Sequence, residues 1–380
     1  MHVVLVTHNI FTGDGQGRVN YELAHFLLRQ GVDLTLLADA VDEDLLEAGA
    51  NWKRIPLHFE SSLPRVIQFR QAADRLLPTL EPNADVILGC GYVLTRPHTV
   101  NVVHFVHDAW LKSPSHPIRH EWSPNSAYQW LYSKANARWE RQALQQAERI
   151  VAVSDKIREE LIEIGVPPGR VETIVNGVDL TEFQPPSPAS SPNRSALGLP
   201  SNVPLAFFAG DIRTNRKNLD TILEALVDVP ALHLAIAGSH AHSPYPRLAE
   251  ELGVQSRTHF LGFRRDVAEL MRASDFFVFP SRYEACTLVL IEALASGLPV
   301  ITARTTGGAE LVTGDAGFVL DDPNDTSGLA TAMRVLVERP RRRRAMQRAA
   351  RTVAERHSWE QMGTRYLDLF RRVTEMPVSV

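Results

Sequence analysis

The stretch Pro280-Ser281-Arg282-Tyr283-Glu284-Ala285-Cys286-Thr287-Leu288-Val289-Leu290-Ile291-Glu292-Ala293-Leu294-Ala295-Ser296-Gly297-Leu298-Pro299-Val300 decides how the rest of the chain reads. An apolar run ending at Phe279 leads into it, as a buried strand does, and a loop carrying Glu284 follows. Thr287 suits an N-cap, so the amides of Leu288 to Leu290 open a helix predicted over 287–295, where a diphosphate would meet them. Glu292 falls inside that helix. Among Leu290, Ile291, Ala293 and Leu294 it reads as a buried carboxylate that accepts from ligand hydroxyls rather than as a solvated face residue. Gly297 stops the helix, and a further strand is predicted over 299–302.

The same alternation extends in both directions. Strands are predicted at 205–209, 232–237, 258–261 and 276–279, with helices at 218–227, 246–252 and 267–273 between them. Near the start, Val3 to Val6 runs through Gly13-Asp14-Gly15-Gln16-Gly17 into a helix marked by Val19, Leu23, Phe26 and Leu27, then a strand at 32–38. Strands at 84–88, 99–106, 149–153 and 171–175 follow, with helices at 127–147 and 155–164, the latter capped by Ser154. Prolines and serines crowd 184–204, including Pro185-Pro186-Ser187-Pro188 and Ser190-Ser191-Pro192, and periodicity vanishes there. The expected organisation is a first domain at 1–183, a linker at 184–203, a second domain at 204–360 and a helix at 361–380 packing back towards the first. Both domains are doubly wound α/β, with ligands beyond the carboxyl ends of the strands and a shared site expected in a cleft between them.

Composition narrows the function. The chain has 380 residues, 44% apolar and 22% charged, enough for two ordinary cores. Forty basic against 44 acidic residues leave a formal charge of −4, too weak a field for a nucleic-acid partner. Two distant cysteines, Cys90 and Cys286, exclude a disulfide scaffold and a zinc ribbon and suit a reducing cytoplasm. No apolar run approaches the ~18 residues of a membrane span.

Several residues are placed for chemistry. The loop from Gly13 to Gly17 offers amides and a helix start to an anion, although it is not G-x-G-x-x-G, so a dinucleotide with Asp39 on its ribose is a minor reading beside a plain turn. In His104-Phe105-Val106-His107-Asp108, His107 is expected at the carboxyl end of a strand and His104 inside it, packed in the core. His116 and His120 have metal-pair spacing, but Pro114 and Pro117 oppose the helix that pair needs. The arginines from Arg339 to Arg351 read as a solvated face. Trp122, Tyr128, Trp130, Tyr132 and Trp139, interleaved with Lys134, Arg138 and Arg141, suit an anionic bilayer surface, an acceptor groove or internal packing.

Glu284 and Glu292, with seven residues between them, resemble the E-x7-E motif of the large retaining glycosyltransferase family 4, of GT-B fold. Phe105-Val106-His107, Val153-Ser154, Asn176-Gly177-Val178-Asp179, Arg216-Lys217-Asn218, Phe260-Leu261-Gly262 and Ala293 to Val300 fall in the order that family shows. The resemblance spans nearly the whole chain. It implies transfer of a hexose from a nucleoside diphosphate sugar, such as a UDP- or GDP-sugar, to a hydroxyl of a glycan, lipid-linked or small-molecule acceptor. It implies no cofactor and no divalent metal. Glu292 would hold ribose hydroxyls. Glu284, with the amides of Ala285, Cys286, Thr287 and Leu288, would hold the donor sugar, His107 would sit beside that sugar, and Lys217 would neutralise the diphosphate. Gly15 or Gly17 would let the first loop approach the phosphates, and Gly262 with Phe263 would border the donor.

Two departures from the family pattern stand out. Gly210-Asp211 replaces a common Gly-Arg, so Arg213 or Arg216 must serve the phosphates, with Arg213 slightly favoured; and Ala285-Cys286-Thr287 replaces an aromatic residue and glycine. A GT-B-like epimerase and a non-catalytic nucleotide-sugar sensor are the rival readings, and E-x7-E with Lys217 argues against both. The expected location is the cytoplasm, with peripheral contact at the inner face of the membrane open.

Overall fold

The computed structural model describes residues 1–120, 122–187 and 192–375. It divides into two compact units, Met1–Gly177 with Trp359–Val380, and Val178–Ser358.

The first unit is built on a seven-stranded parallel sheet in the order Asn51–Arg54, Asp33–Ala38, His2–Val6, Val86–Cys90, His98–Val103, Ala147–Ala152, Val171–Thr173. Val3 to Val6 are fully buried, as befits a strand covered on both faces, and Val3 aligns with Leu34 on one side and Val86 on the other. The second unit holds a six-stranded parallel sheet in the order Thr258–Gly262, His233–Ala237, Leu205–Ala209, Phe276–Phe279, Val300–Ala303, Gly317–Leu320. Its core is aromatic. Phe207, Phe208, Phe276, Phe277 and Phe279 are fully buried, and each contributes roughly 1.5–3 kcal/mol by leaving water.

Element boundaries mostly fall within a few residues of expectation. Leu205–Ala209 and Phe276–Phe279 coincide with it, whereas the strand expected at 99–106 ends at Val103, and His107 opens a short helix, His107–Lys112. His104 therefore lies past the strand rather than inside it. The strand Asn51–Arg54 and the helix Ser62–Leu76 were not expected. The first has only four residues, and the second carries Pro64, Arg65, Gln68 and Gln71 across its apolar positions.

The chain passes between units at Gly177–Val178 and again at Ser358–Trp359, not within 184–203. A Cβ on Gly177 would stand 2.6 Å from the Trp359 backbone, while Val178 pairs with Ser358 as an isolated bridge, so the two passages lie side by side. Proline and serine richness marks an irregular segment of the second unit here. Residues 188–191 of the expected linker lie outside the described residues, as do residues 376–380 of the helix expected at 361–380. That helix, Trp359–Glu375, belongs to the first unit; Phe26 presses on Gly363, and Arg29 meets Glu360 at 3.0 Å.

Candidate active site

In the second unit a strand and a turn bring the site charges together. The Asn215–Lys217 turn ends on Asn218 at φ 63, a left-handed conformation that asparagine tolerates. The Asn218 amide donates to the carbonyls of Pro280 (2.8 Å) and Pro323 (2.6 Å), and its oxygen accepts from Thr221. Ser281 Oγ and the Arg282 amide both donate to Arg216 O at 2.9 Å, and Arg282 grips Asp220 with two bonds. These ties fix the Lys217 turn against the Glu284 loop. Lys217 Nζ contacts Glu284 Oε1 directly, and Arg216 Nη2 approaches the same oxygen at 3.5 Å. Burial lowers the Lys217 pKa, with Glu284 opposing that shift. Its ammonium also lies 5.2 Å from the Phe279 ring centre.

Helix Leu288–Ala295 begins after Thr287, which holds the N-cap position without a side-chain capping bond, contrary to expectation. The Leu290 amide turns back to Thr287 O at 3.3 Å, which takes one of the three amides expected to meet a diphosphate. Ala285 is buried, Cys286 and Leu288 are half-buried, and Glu292 is half-buried rather than enclosed, because its flank of the helix is only partly covered. A cavity of about 330 Å³ lies beyond the ends of Leu205–Ala209 and His233–Ala237, bordered by Gly210, Asp211, Arg213, Phe263, Arg264 and Val289. Phe263 is 76% exposed, and the preceding Gly262 has φ +71, a conformation that favours glycine. Arg213 forms two bonds to Asp211, at 2.9 and 2.8 Å, and Arg264 likewise pairs with Asp266. Arg213, slightly favoured from the sequence as the phosphate cation, is thus paired with a carboxylate two residues away, while Arg216 stands beside Lys217 on Glu284.

In the first unit, Asp14 caps helix Gly15–Arg29 and accepts from Gly17 N–H at 2.6 Å. A carboxylate therefore already occupies the end that an anion was expected to use. A Cβ on Gly17 would lie 2.7 Å from Phe11 O, whereas one on Gly15 meets nothing within 4 Å, so only Gly17 is a steric necessity. His107 is buried. Its amide donates to Glu140 Oε2 at 3.1 Å, its Nδ1 lies 3.4 Å from Glu140 Oε1, and its Nε2 lies 3.3 Å from Asn136 Nδ2. Glu140 and Asn136, both fully buried on helix Pro124–Gln146, escaped the sequence reading, because the buried side of that helix is mostly small and polar (Ser126, Ser133, Asn136, Ala137, Glu140) and carries no apolar stripe to mark it.

Glycosyl transferases group 1 match residues 190–353, and Glycosyltransferase Family 4 matches residues 13–182. The chain belongs to this glycosyltransferase family. A D-inositol 3-phosphate glycosyltransferase of Saccharomonospora viridis is 33% identical over 249 residues, 61% of this chain and 57% of that protein. One of Xylanimonas cellulosilytica is 31% identical, over 62% of this chain and 60% of its own. The chain thus spans less than two thirds of the length of these relatives. Among solved structures, WaaG, a glycosyltransferase involved in lipopolysaccharide biosynthesis, superposes with a TM-score of 0.74 at 21% identity, over 97% of this chain and 99% of its own. HepE of Anabaena, in complex with UDP-glucose, gives a TM-score of 0.71 at 20% identity, over 98% and 100%. The fold of this family member is GT-B.

The residues singled out from the sequence divide between the two units. Lys217, Arg216 and Glu284 form one charged cluster, with Arg213, Gly262 and Phe263 near the cavity of the same unit. Gly15, Gly17 and His107 belong to the other unit.

Proposed function

We propose that the protein is a metal-independent, retaining glycosyltransferase that moves a hexose from a UDP- or GDP-sugar to an acceptor hydroxyl. The observation that carries this reading is the contact of Lys217, with Arg216 beside it, on Glu284 in the second unit. Breaking the glycosidic bond leaves charge on the diphosphate, and cations held in place beforehand stabilise it without reorganising. Lys217 and Arg216 serve that leaving group, Glu284 holds sugar hydroxyls, and half-buried Glu292 accepts from the ribose. The first unit receives the acceptor. UDP-glucose bound in HepE supports a nucleotide sugar as donor.

We further infer a cytoplasmic enzyme that touches membranes peripherally. No helix among the described residues is long and apolar enough to cross a membrane. Trp122 is 81% exposed, Trp130 and Leu131 are exposed nearby in sequence, and Lys134 lies 4.6 Å from the Trp130 ring centre.

Incubation with a panel of nucleotide sugars, with and without EDTA, tests the reading. Release of nucleoside diphosphate that persists on chelation and rises with an acceptor is expected. An isomerised donor would make the protein an epimerase, binding without turnover a sensor, and loss of activity restored by magnesium or manganese would end the metal-independent reading.

A further inference from the structure

The first unit contains a second feature, opposite in character to the charged cluster. A cavity of about 190 Å³ is lined by, among others, His8, Cys90, Tyr92, His104, Phe105 and His107. Its volume is several times the ~30 Å³ share of one water and falls short of the ~300 Å³ at which drug-sized pockets begin. One small ring fits that interval; a nucleotide does not. His8 Nε2 and His104 Nε2 are both buried and without a hydrogen-bond partner. Buried polar atoms are normally paired, so two unpaired nitrogens on one cavity mark where a ligand completes the structure.

The chemistry of the lining narrows that ligand. Lysine, arginine, aspartate and glutamate are missing from the described lining. Burial lowers the pKa values of His8 and His104 to about 4 and pushes the Cys90 thiol up to about 12, so all three are uncharged near neutrality. Arg65, the cation whose field reaches His8, is paired with Asp39 at 3.3 Å. A neutral imidazole carries one donor and one acceptor, which matches a hydroxyl, itself both. Tyr92 and Phe105 stand edge-on to His107, with ring centres 5.1 and 5.0 Å away, and supply apolar surface for the C–H faces of a ring. No group of three His, Cys, Asp or Glu among the described residues is gathered to hold an ion.

We propose that this cavity seats an uncharged, hydroxyl-rich ring, a monosaccharide or cyclic-polyol unit of the acceptor, and rejects a phosphorylated one. Naming the ring as acceptor rests on the glycosyltransferase reading; the selectivity does not. A phosphate buried against His8, His104 and Cys90 would meet two neutral imidazoles and a thiol, and the lining has no lysine or arginine to answer it. On this point the chain is expected to part from the relatives named for an inositol 3-phosphate.

The test uses the full chain with 13C-labelled histidine rings, His8→Gln and His104→Gln assigning the signals. Glucose, mannose, N-acetylglucosamine and myo-inositol are titrated without nucleotide, beside glucose 6-phosphate, mannose 6-phosphate and myo-inositol 1-phosphate. At least one uncharged probe is expected to shift both histidine signals saturably, with its phosphate ester binding at least tenfold more weakly. His8→Gln should weaken that probe at least fivefold while leaving the melting temperature and nucleotide-sugar hydrolysis unchanged. If His104→Gln does not fold, the His8 comparison decides. The proposal falls if no uncharged probe shifts either ring, if the phosphate esters bind as tightly, or if His8→Gln binds like the parent. Should His8→Gln impair donor hydrolysis instead, the ring is the donor hexose and the acceptor assignment falls. Hydrolysis of UDP- and GDP-sugars keeps the two readings apart: intact hydrolysis without ring binding sinks this inference alone, and ring binding without any donor turnover sinks the transferase reading alone.

Discussion

The two units stabilise polar groups by opposite means. In the second, Lys217 and Arg216 meet Glu284 on one carboxylate oxygen, and the turn that presents them is locked by Asn218, Ser281 and Arg282. In the first, His8 and His104 are held neutral by burial and left unpaired, while Glu140 and Asn136 engage both nitrogens of His107. A charged cluster is suited to a ligand whose charge changes during reaction; a neutral one is suited to a ligand that stays uncharged and must only be oriented.

The sharpest way to break this contrast is to remove the charge from the second unit. Lys217→Met should lower turnover by ~10²–10³, the usual loss when one preorganised electrostatic stabiliser is deleted. Release of nucleoside diphosphate measures it, with the melting temperature as control. A loss below fivefold in a folded variant would show that the cluster is structural.

The neutral side is probed by acid. Burial lowers the His104 pKa from 6.5 to about 4, so the unfolded chain binds the extra proton first. Stability tied to this ring is full above pH 6.5 and is lost as pH falls towards 4, by roughly 3 kcal/mol in all. Urea unfolding across pH 7 to 4 should therefore be less steep in His104→Phe than in the parent. Parallel curves would mean that the ring titrates normally.

A smaller effect is expected at Glu140, which accepts from the amide of His107 and lies beside its ring nitrogen. Glu140→Ala strands both groups in the interior and should cost ~1–3 kcal/mol, with Glu140→Gln restoring part of that by keeping an acceptor. Equal stability of the two variants would remove the carboxylate's role in holding His107.

How far the sequence reached differs between the same two regions. Continuous short apolar runs such as Leu205–Ala209 and Phe276–Phe279, set in a strand–helix alternation, read as buried strands, and Glu284 after the second of them was legible as a loop acid. The strand before His107 was read three residues too long, which put His104 inside it, because Phe105 and Val106 continue the apolar run past Val103, where the strand ends. Glu140, 33 residues beyond His107, is a partner no local pattern exposes. The passage at Gly177–Val178 was missed because composition marks irregular backbone, whereas a unit boundary depends on which core each residue packs into.

The finest distinction concerns two arginines three residues apart. Arg213 is exposed and held by Asp211 through two bonds, an arrangement that keeps its guanidinium charged but already answered, and that raises its pKa. Arg216 lies 3.5 Å from Glu284, on the oxygen that Lys217 also contacts, so its charge adds to the cluster rather than to a private pair. Arg216→Ala should therefore reduce turnover about tenfold, the size expected for one charge-assisted hydrogen bond in the transition state. Arg213→Ala should change it by less than twofold, because its guanidinium is already taken up by Asp211. Asp211→Asn isolates that effect: with Arg213 released, turnover or nucleotide affinity should rise slightly. If Arg213→Ala proves the more damaging change, the Asp211 pair opens when ligand arrives, and the phosphate cation of this chain is Arg213 after all.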